Sequence, residues 1–228
     1  MSSDSIPDRE VNGRTYQRIP VKTHIITKDD DIVEVVDRYT KDICKEGDLI
    51  TVSESPTAIS QGRAIPEDEL KIGILAKILW RFVRRVPYGV GLRSPGTMQC
   101  AINETGRIKI LFAAVCGGFT RIFGRRGDFY RIAGMQAATI DGAHTSPVPP
   151  YDKCVIMGPK DPHKVAQAIF EKTGCHAAVM DINDIGGSWV LGASKGADVK
   201  LFEAVMKDNP QGQGMELTPV CVIRLKKQ

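Results

Sequence analysis

Apolar positions along this chain recur at two spacings, helical and strand-like, and the two alternate from one end to the other. Ile32, Val35, Val36, Tyr39 and Ile43 fall on one helical face. Thr27, three residues before Asp30, is placed to cap that helix. A strand follows over residues 48–53, and it runs into a polar segment from Glu54 to Arg63 in which hydroxyls and a glycine converge. Pro66 fits a first helical position, with Glu67, Asp68 and Glu69 at the positive end of the helix dipole and Arg84 and Arg85 at the negative end. Leu70, Ile74, Leu75, Ile78, Leu79 and Phe82 form the stripe of that helix, which reads as core packing. From Gly89 to about Gly134 the pattern becomes one of strands and turns: Asn103-Glu104-Thr105-Gly106 has the form of a hairpin turn, and residues 110–115 form a continuous apolar run after it.

The second half returns to alternation. A strand-like segment from Ala137 leads through Asp141-Gly142 to His144, and Pro147, Pro149 and Pro150 mark a loop. A short strand over 154–157 follows, then a helix with Asp161-Pro162 at its start and Gly174 at its end. Residues 177–182 form a strand, 198–207 an amphipathic helix and 220–224 a last strand. The expectation is an α/β (mixed α+β) chain, a single domain over 1–228 divisible into two lobes, 18–88 plus 137–228, around a strand-rich segment at 89–136. There is no internal repeat and no low-complexity segment.

Composition narrows this picture. Hydrophobic residues make up 42% of the 228 and charged residues 25%, enough apolar surface for a sizeable core. The net charge of +4 is too small to imply nucleic acid, and no nucleic-acid partner is expected. The charge is local: Arg121, Arg125, Arg126 and Arg131 share one glycine-rich segment, which reads equally as a solvated loop or an anion site. The cysteines (Cys44, Cys100, Cys116, Cys154, Cys175 and Cys221) are widely spaced without a CxxC pair, and they read as small buried hydrophobes in a reducing compartment. The first residues lack the form of a secretory signal, and no apolar stretch approaches the ~20 residues of a membrane span. A cytoplasmic protein without membrane association is the expectation.

Chemistry concentrates where strands end. Asp184 follows the apolar strand and precedes Ile185-Gly186-Gly187-Ser188, with Asp181 and Asn183 beside it at the opposite parity. Such a carboxylate has three readings: ligand of a divalent cation, general base, or an Asx-type cap of the glycine turn. Mg²⁺ needs only about one or two protein carboxylates beside phosphates and water, so ligand and cap weigh equally. Asp141 with His144 is similarly open, since Asp-Gly is a common turn. Gly186-Gly187 and Gly212-Gln213-Gly214 lack the Walker spacing, and no GxGxxG, HExxH or GxSxG is present.

The order of these pieces resembles the γ-glutamyl ligases that build the deazaflavin coenzyme F-420. Ile19-Pro20-Val21-Lys22, Glu46-Gly47-Asp48-Leu49-Ile50-Thr51-Val52 and Ser60-Gln61-Gly62-Arg63 look like the N-terminal third of that family. Thr139-Ile140-Asp141-Gly142-Ala143-His144, Gly158-Pro159-Lys160-Asp161-Pro162, the strand ending in Asp184, and Gly212-Gln213-Gly214 before Thr218–Arg224 continue the likeness. The resemblance implies an enzyme that uses GTP or ATP with Mg²⁺ or Mn²⁺ to join glutamate or a similar amine to an acidic cofactor precursor through an acyl phosphate, and it implies a homodimer. Carried over by position, Asp141, Asp184 and Gln213 would hold metal. Pro20, Val21, Lys22, Glu54, Ser55, His144, Gln211, Gly212, Gln213 and Gly214 would contact nucleotide. The chain departs from the pattern at Ile59 (usually Lys), His144 (Asn), Ile185 (Thr) and Ser188 (Arg). Lys22, Arg63 or the Arg121–Arg131 cluster would have to supply the missing charge. The alternative is a relative that keeps the fold and binds a ligand, nucleotide or partner without ligating.

Overall fold

The computed structural model describes residues 6–83, 91–125, 127–183 and 187–226. Its strands and helices, in chain order, are β1 (Arg9–Val11), β2 (Arg14–Val21), α1 (Ile32–Thr40), β3 (Leu49–Ser53), α2 (Glu54–Ser60), β4 (Ala64–Pro66), α3 (Ile74–Leu79), α4 (Pro95–Thr105), α5 (Arg107–Ile122), α6 (Asp128–Ala133), α7 (Met135–Ala138), β5 (Cys154–Ile156), α8 (Pro162–Thr173), β6 (His176–Asn183), β7 (Gly187–Ala193), α9 (Val199–Val205) and β8 (Val220–Leu225). The mixed α+β expectation holds. The chain forms two compact units, Met1–Gly62 with Lys160–Gln228, and Arg63–Pro159.

The first unit is built on a six-stranded sheet of order β1-β2-β8-β3-β6-β7, in which only the β3–β6 pair is parallel. Strand periodicity explains how it is held. Ile50 and Val52, Ala177 and Val179, and Val220 and Val222 project to one face, where they meet Ile32, Val35 and Val36 of α1 and Ala166 and Ile169 of α8. The alternate residues Ala178, Met180, Cys221 and Ile223 project to the other, against Phe202 and Val205 of α9. A sheet covered on both faces needs near-continuous apolar runs, which is what β3, β6 and β8 supply. The helix α8 begins with Pro162 in its first turn and closes on Gly174 at φ 75°, as its sequence predicts, but Asp161, expected as the N-cap, makes no side-chain cap bond and pairs with Lys164 instead. For α1 the cap is Asp31, whose carboxylate accepts from Val33 and Glu34, and not Thr27. Thr27 sits one turn too early and donates its hydroxyl to Asp30.

The second unit overturns the strand-rich segment at 89–136. Its described part, from Gly91 on, is helical, α4 to α7. Ser94 and Thr97 form a capping box ahead of α4, with Pro95 in the first turn. Gly106, at φ 90°, ends α4 and begins α5, so Asn103–Gly106 is the end of one helix and not a hairpin turn. The run 110–115 belongs to the 16-residue α5. A continuous apolar run does not discriminate strand from helix by period, and here its length decides. Met135–Ala138 is likewise a helical turn rather than a strand, although Asp141 then bridges Ile156. The single helix expected from Pro66 is broken. Pro66 ends β4, Glu67–Glu69 is a 3-10 turn, and α3 begins only after Gly73. Arg84, Arg85, Gly89 and Arg126 lie outside the described residues. Around β4 and β5 the unit packs Met98, Ala101 and Ile102 of α4 with Ile110, Ile140, Val155 and Met157.

Candidate functional site

Sheet register gathers segments distant in sequence at one edge of the first unit. Val21 pairs with Val220, Val220 with Val52, and Ser53 with Met180. The end of β2, the start of β8, and the ends of the parallel strands β3 and β6 therefore stand side by side. Ligands of open α/β sheets bind beyond the carboxyl ends of such strands. Pro20 is tolerated within β2 because β1 pairs only as far as Arg14–Tyr16, leaving that side of β2 without a ladder at Pro20.

Three of the expected nucleotide segments meet at this edge: Pro20-Val21-Lys22, Glu54-Ser55 at the start of α2, and the Gln211–Thr218 loop. Backbone bonds tie them together, from Ser53 N–H to the Pro219 carbonyl (2.9 Å) and from Thr23 N–H to the Leu217 carbonyl (2.8 Å). The loop is closed on itself by Gln211 Nε2 donating to the Thr218 carbonyl and Thr218 Oγ1 to the Gln211 carbonyl. Gln211 is 5% exposed and its Oε1, fully buried, has no hydrogen-bond partner among the described residues. Lys22 is exposed.

The expected metal residue Gln213 donates Nε2 to the carbonyl of Ile182, 3.2 Å away, at the end of β6. Asp184 follows two residues later and, with Ile185 and Gly186, lies outside the described residues. Beside it the Asn183 Oδ1 accepts from Gly187 N–H at 3.1 Å. Burial raises the Asp181 carboxyl above its ordinary range. Glu216, which the sequence reading passed over, lies against the loop glycines: a Cβ on Gly214 would stand 2.8 Å from its carboxylate and one on Gly212 about as close. A carboxylate two residues after a Gly-x-Gly turn was the available signal.

Asp141 and His144 belong to the second unit. The Asp141 N–H donates to the Ile156 carbonyl and its carbonyl accepts from Ile156 N–H, so two bonds fix its backbone. His144 is exposed at φ 68°, and its Nε2 lies 3.8 Å from Glu67. No cluster of three or more His, Cys, Asp or Glu side chains that would hold a metal occurs among the described residues. Mg²⁺ bound chiefly by phosphates and water requires no such cluster.

The proposed replacements for the missing cations fare unequally. Arg63 is buried and committed, donating to the Gly158 carbonyl at 2.6 Å and to Glu104 at 2.9 Å. Arg125 and Arg131 both pair with Asp128. Ile59 is buried in α2, and the Ser188 hydroxyl donates to the Glu203 carbonyl at 2.6 Å, so both positions do structural work.

Fold and edge define a mixed α+β protein whose loops converge at the ends of its central strands. A family model for F420-0:gamma-glutamyl ligase matches residues 20–197, and the chain belongs to that family. The match includes two of the converging segments and stops short of the Gln211–Thr218 loop. No curated protein matches the chain.

Proposed function

We propose that the protein is a nucleotide- and metal-dependent amide ligase of the γ-glutamyl type, joining glutamate or a similar amine to an acidic cofactor precursor and working as a homodimer. The observation that carries this reading is the convergence of Pro20–Lys22, Glu54-Ser55 and the Gln211–Thr218 loop on one strand edge, with a buried Gln211 oxygen in that loop that has no partner among the described residues. Family membership supports the same chemistry. In this reading a carboxylate oxygen of the precursor attacks the γ-phosphorus of GTP or ATP and the bond to the β-phosphate oxygen breaks. The amine nitrogen then attacks the acyl carbon, phosphate leaves, and the nitrogen loses its proton.

Asp184 and Gln213 of the first unit would hold Mg²⁺ or Mn²⁺, with Glu216 as a further oxygen donor. The ion would neutralise charge on the transferred phosphoryl group. Lys22, exposed beside the converging segments, would add a cation there.

The test is Asp184→Asn. The change keeps the side-chain volume and a turn-compatible oxygen but removes the charge a hard cation prefers. Metal-dependent nucleotide turnover with a carboxylate acceptor and glutamate should fall at least ~100-fold, about 2.7 kcal/mol of barrier. Thermal stability should hold within about 1 kcal/mol. Unchanged turnover would remove Asp184 from the reaction. A second reading, a ligand-binding relative without ligase activity, is favoured by the burial of Ile59, which leaves α2 without a side-chain cation at that position. Wild-type protein that binds nucleotide but releases no phosphate with any carboxylate acceptor would support it.

A further inference from the structure

Helix α5 is built the wrong way round for a core helix. Its buried residues are Ile110 and Ala113, while Ile108, Leu111, Phe112, Val115, Phe119 and Ile122 are exposed. At roughly 100° per residue these six, with Phe123 just beyond the helix, fall within an arc of about 120°. The arc is a solvent-facing apolar stripe along a helix of about 24 Å. Ile108 is 85% exposed and Ile122 79%, so the stripe is open at both ends. The three phenylalanines, each more than half exposed, contribute on the order of 400 Å². With the aliphatic residues the patch exceeds the ~300–600 Å² that is the largest on a typical monomer. Beside it lies an apolar groove of about 590 Å³ that Leu111 and Val115 share with Leu79, Phe82 and Met98.

Charge selects the occupant. From Thr105 to Gly127 the chain carries Arg107, Lys109, Arg121, Arg125 and Arg126 and no acidic residue. Arg107 and Lys109 project about 100° to either side of the stripe at its start. Neither they nor Arg121 pair with a carboxylate among the described residues. Two copies of α5 laid parallel would set Arg107 and Lys109 against their own counterparts. An apolar arc bordered by lysine and arginine matches a surface that is hydrocarbon beneath and anionic above, which is how amphipathic helices lie in a bilayer interface.

We propose that α5 docks the protein on an anionic phospholipid bilayer, with Phe112, Val115 and Phe119 among the acyl chains and Arg107 and Lys109 at the phosphates. No helix among the described residues is long and apolar enough to cross a membrane. The contact is therefore peripheral, and it revises the expectation of a protein without membrane association. It is independent of the reading of the activity.

The experiment is co-sedimentation of the full chain with vesicles of phosphatidylcholine alone and of equal parts phosphatidylcholine and phosphatidylglycerol. Binding to the anionic vesicles should be at least ~10-fold tighter and should weaken as salt is raised. Phe119→Glu, at an exposed position, should reduce it at least ~10-fold with the melting curve unchanged. Should that variant misfold, Arg107→Gln with Lys109→Gln serves instead and should abolish the preference for phosphatidylglycerol. Wild-type protein that ignores anionic vesicles overturns the proposal, as does binding indifferent to either variant. Self-association lost in Phe119→Glu without any vesicle binding overturns it too, and assigns the face to a second copy.

Discussion

Gln211 holds a buried acceptor that a bound ligand or a water could satisfy. Its Nε2 is satisfied by Thr218, while its buried Oε1 meets no donor among the described residues, a situation that costs about 1–3 kcal/mol where nothing else supplies one. Gln211→Leu removes that oxygen along with one hydrogen bond, so the two effects on stability nearly cancel, within about 1 kcal/mol. If the oxygen serves a bound nucleotide or its cation, nucleotide affinity should drop about tenfold, ~1.4 kcal/mol. Isothermal titration of the wild type and the variant decides, and equal affinities would return Gln211 to a purely structural role. At this scale the sequence was partly legible. Gly-x-Gly marked the loop, but the burial of Gln211 and the approach of Glu216 depend on where the chain turns, with Leu217 in the left-handed region at φ 57°. Nothing in the residue types announces that.

Elements were legible where apolar residues face inward and obscure where they do not. The strands β3, β6 and β8 follow from short near-continuous apolar runs, and the helix α8 from its Asp-Pro and Gly signals. The middle helices were misread because a periodicity argument takes apolar to mean buried, and α5 turns its apolar arc outward. The strands β1, β2, β4 and β7 were passed over for other reasons. The Asn12-Gly13 pair that turns β1 into β2, at φ 53° and 72°, is a strong hairpin signal set between only short polar-rich runs. The strand β7 contains Gly187 and Gly192, and glycines weaken a strand pattern. Gly192 is there for space: a Cβ would lie 2.3 Å from the backbone of Pro162 and His163 at the start of α8. Gly192→Ala must therefore push β7 and α8 apart, at a cost of about 2–3 kcal/mol. Gly13→Ala meets nothing within 4 Å and pays only for its positive φ, about 1–2 kcal/mol. Denaturant melts of the two variants should rank them in that order; the reverse would mean that the β7–α8 packing yields easily.

For the molecule as a whole, the class was legible in the order of the motifs, and the site edge was not. Residues near 20, 54, 183 and 213 meet only because β8 inserts between β2 and β3, a non-local pairing that no local pattern specifies. The same sheet unit sets a pH dependence. Asp30 is held below its ordinary 3.8, first by the Thr27 N–H and also by His24. Asp208 is raised by burial, but the hydrogen bond and charge of Arg18 outweigh this, so it too is lowered. Carboxylates with depressed folded values stabilise the native state above the unfolded value, and that contribution is lost as pH falls through the folded ones. Asp181 works in the opposite sense. Its raised value favours the folded state as pH drops toward 3.8, which flattens the curve before the decline. The melting temperature should thus change little from neutrality to about pH 5 and fall below about pH 4. Arg18 is 3% exposed, and Asp208→Asn strands part of its charge, while the 43% exposure of the carboxylate moderates the loss. Stability at pH 7 should drop by about 1–2 kcal/mol, and the decline in acid should become shallower. An acid limb as steep in Asp208→Asn as in the wild type would assign the pH dependence to other carboxylates.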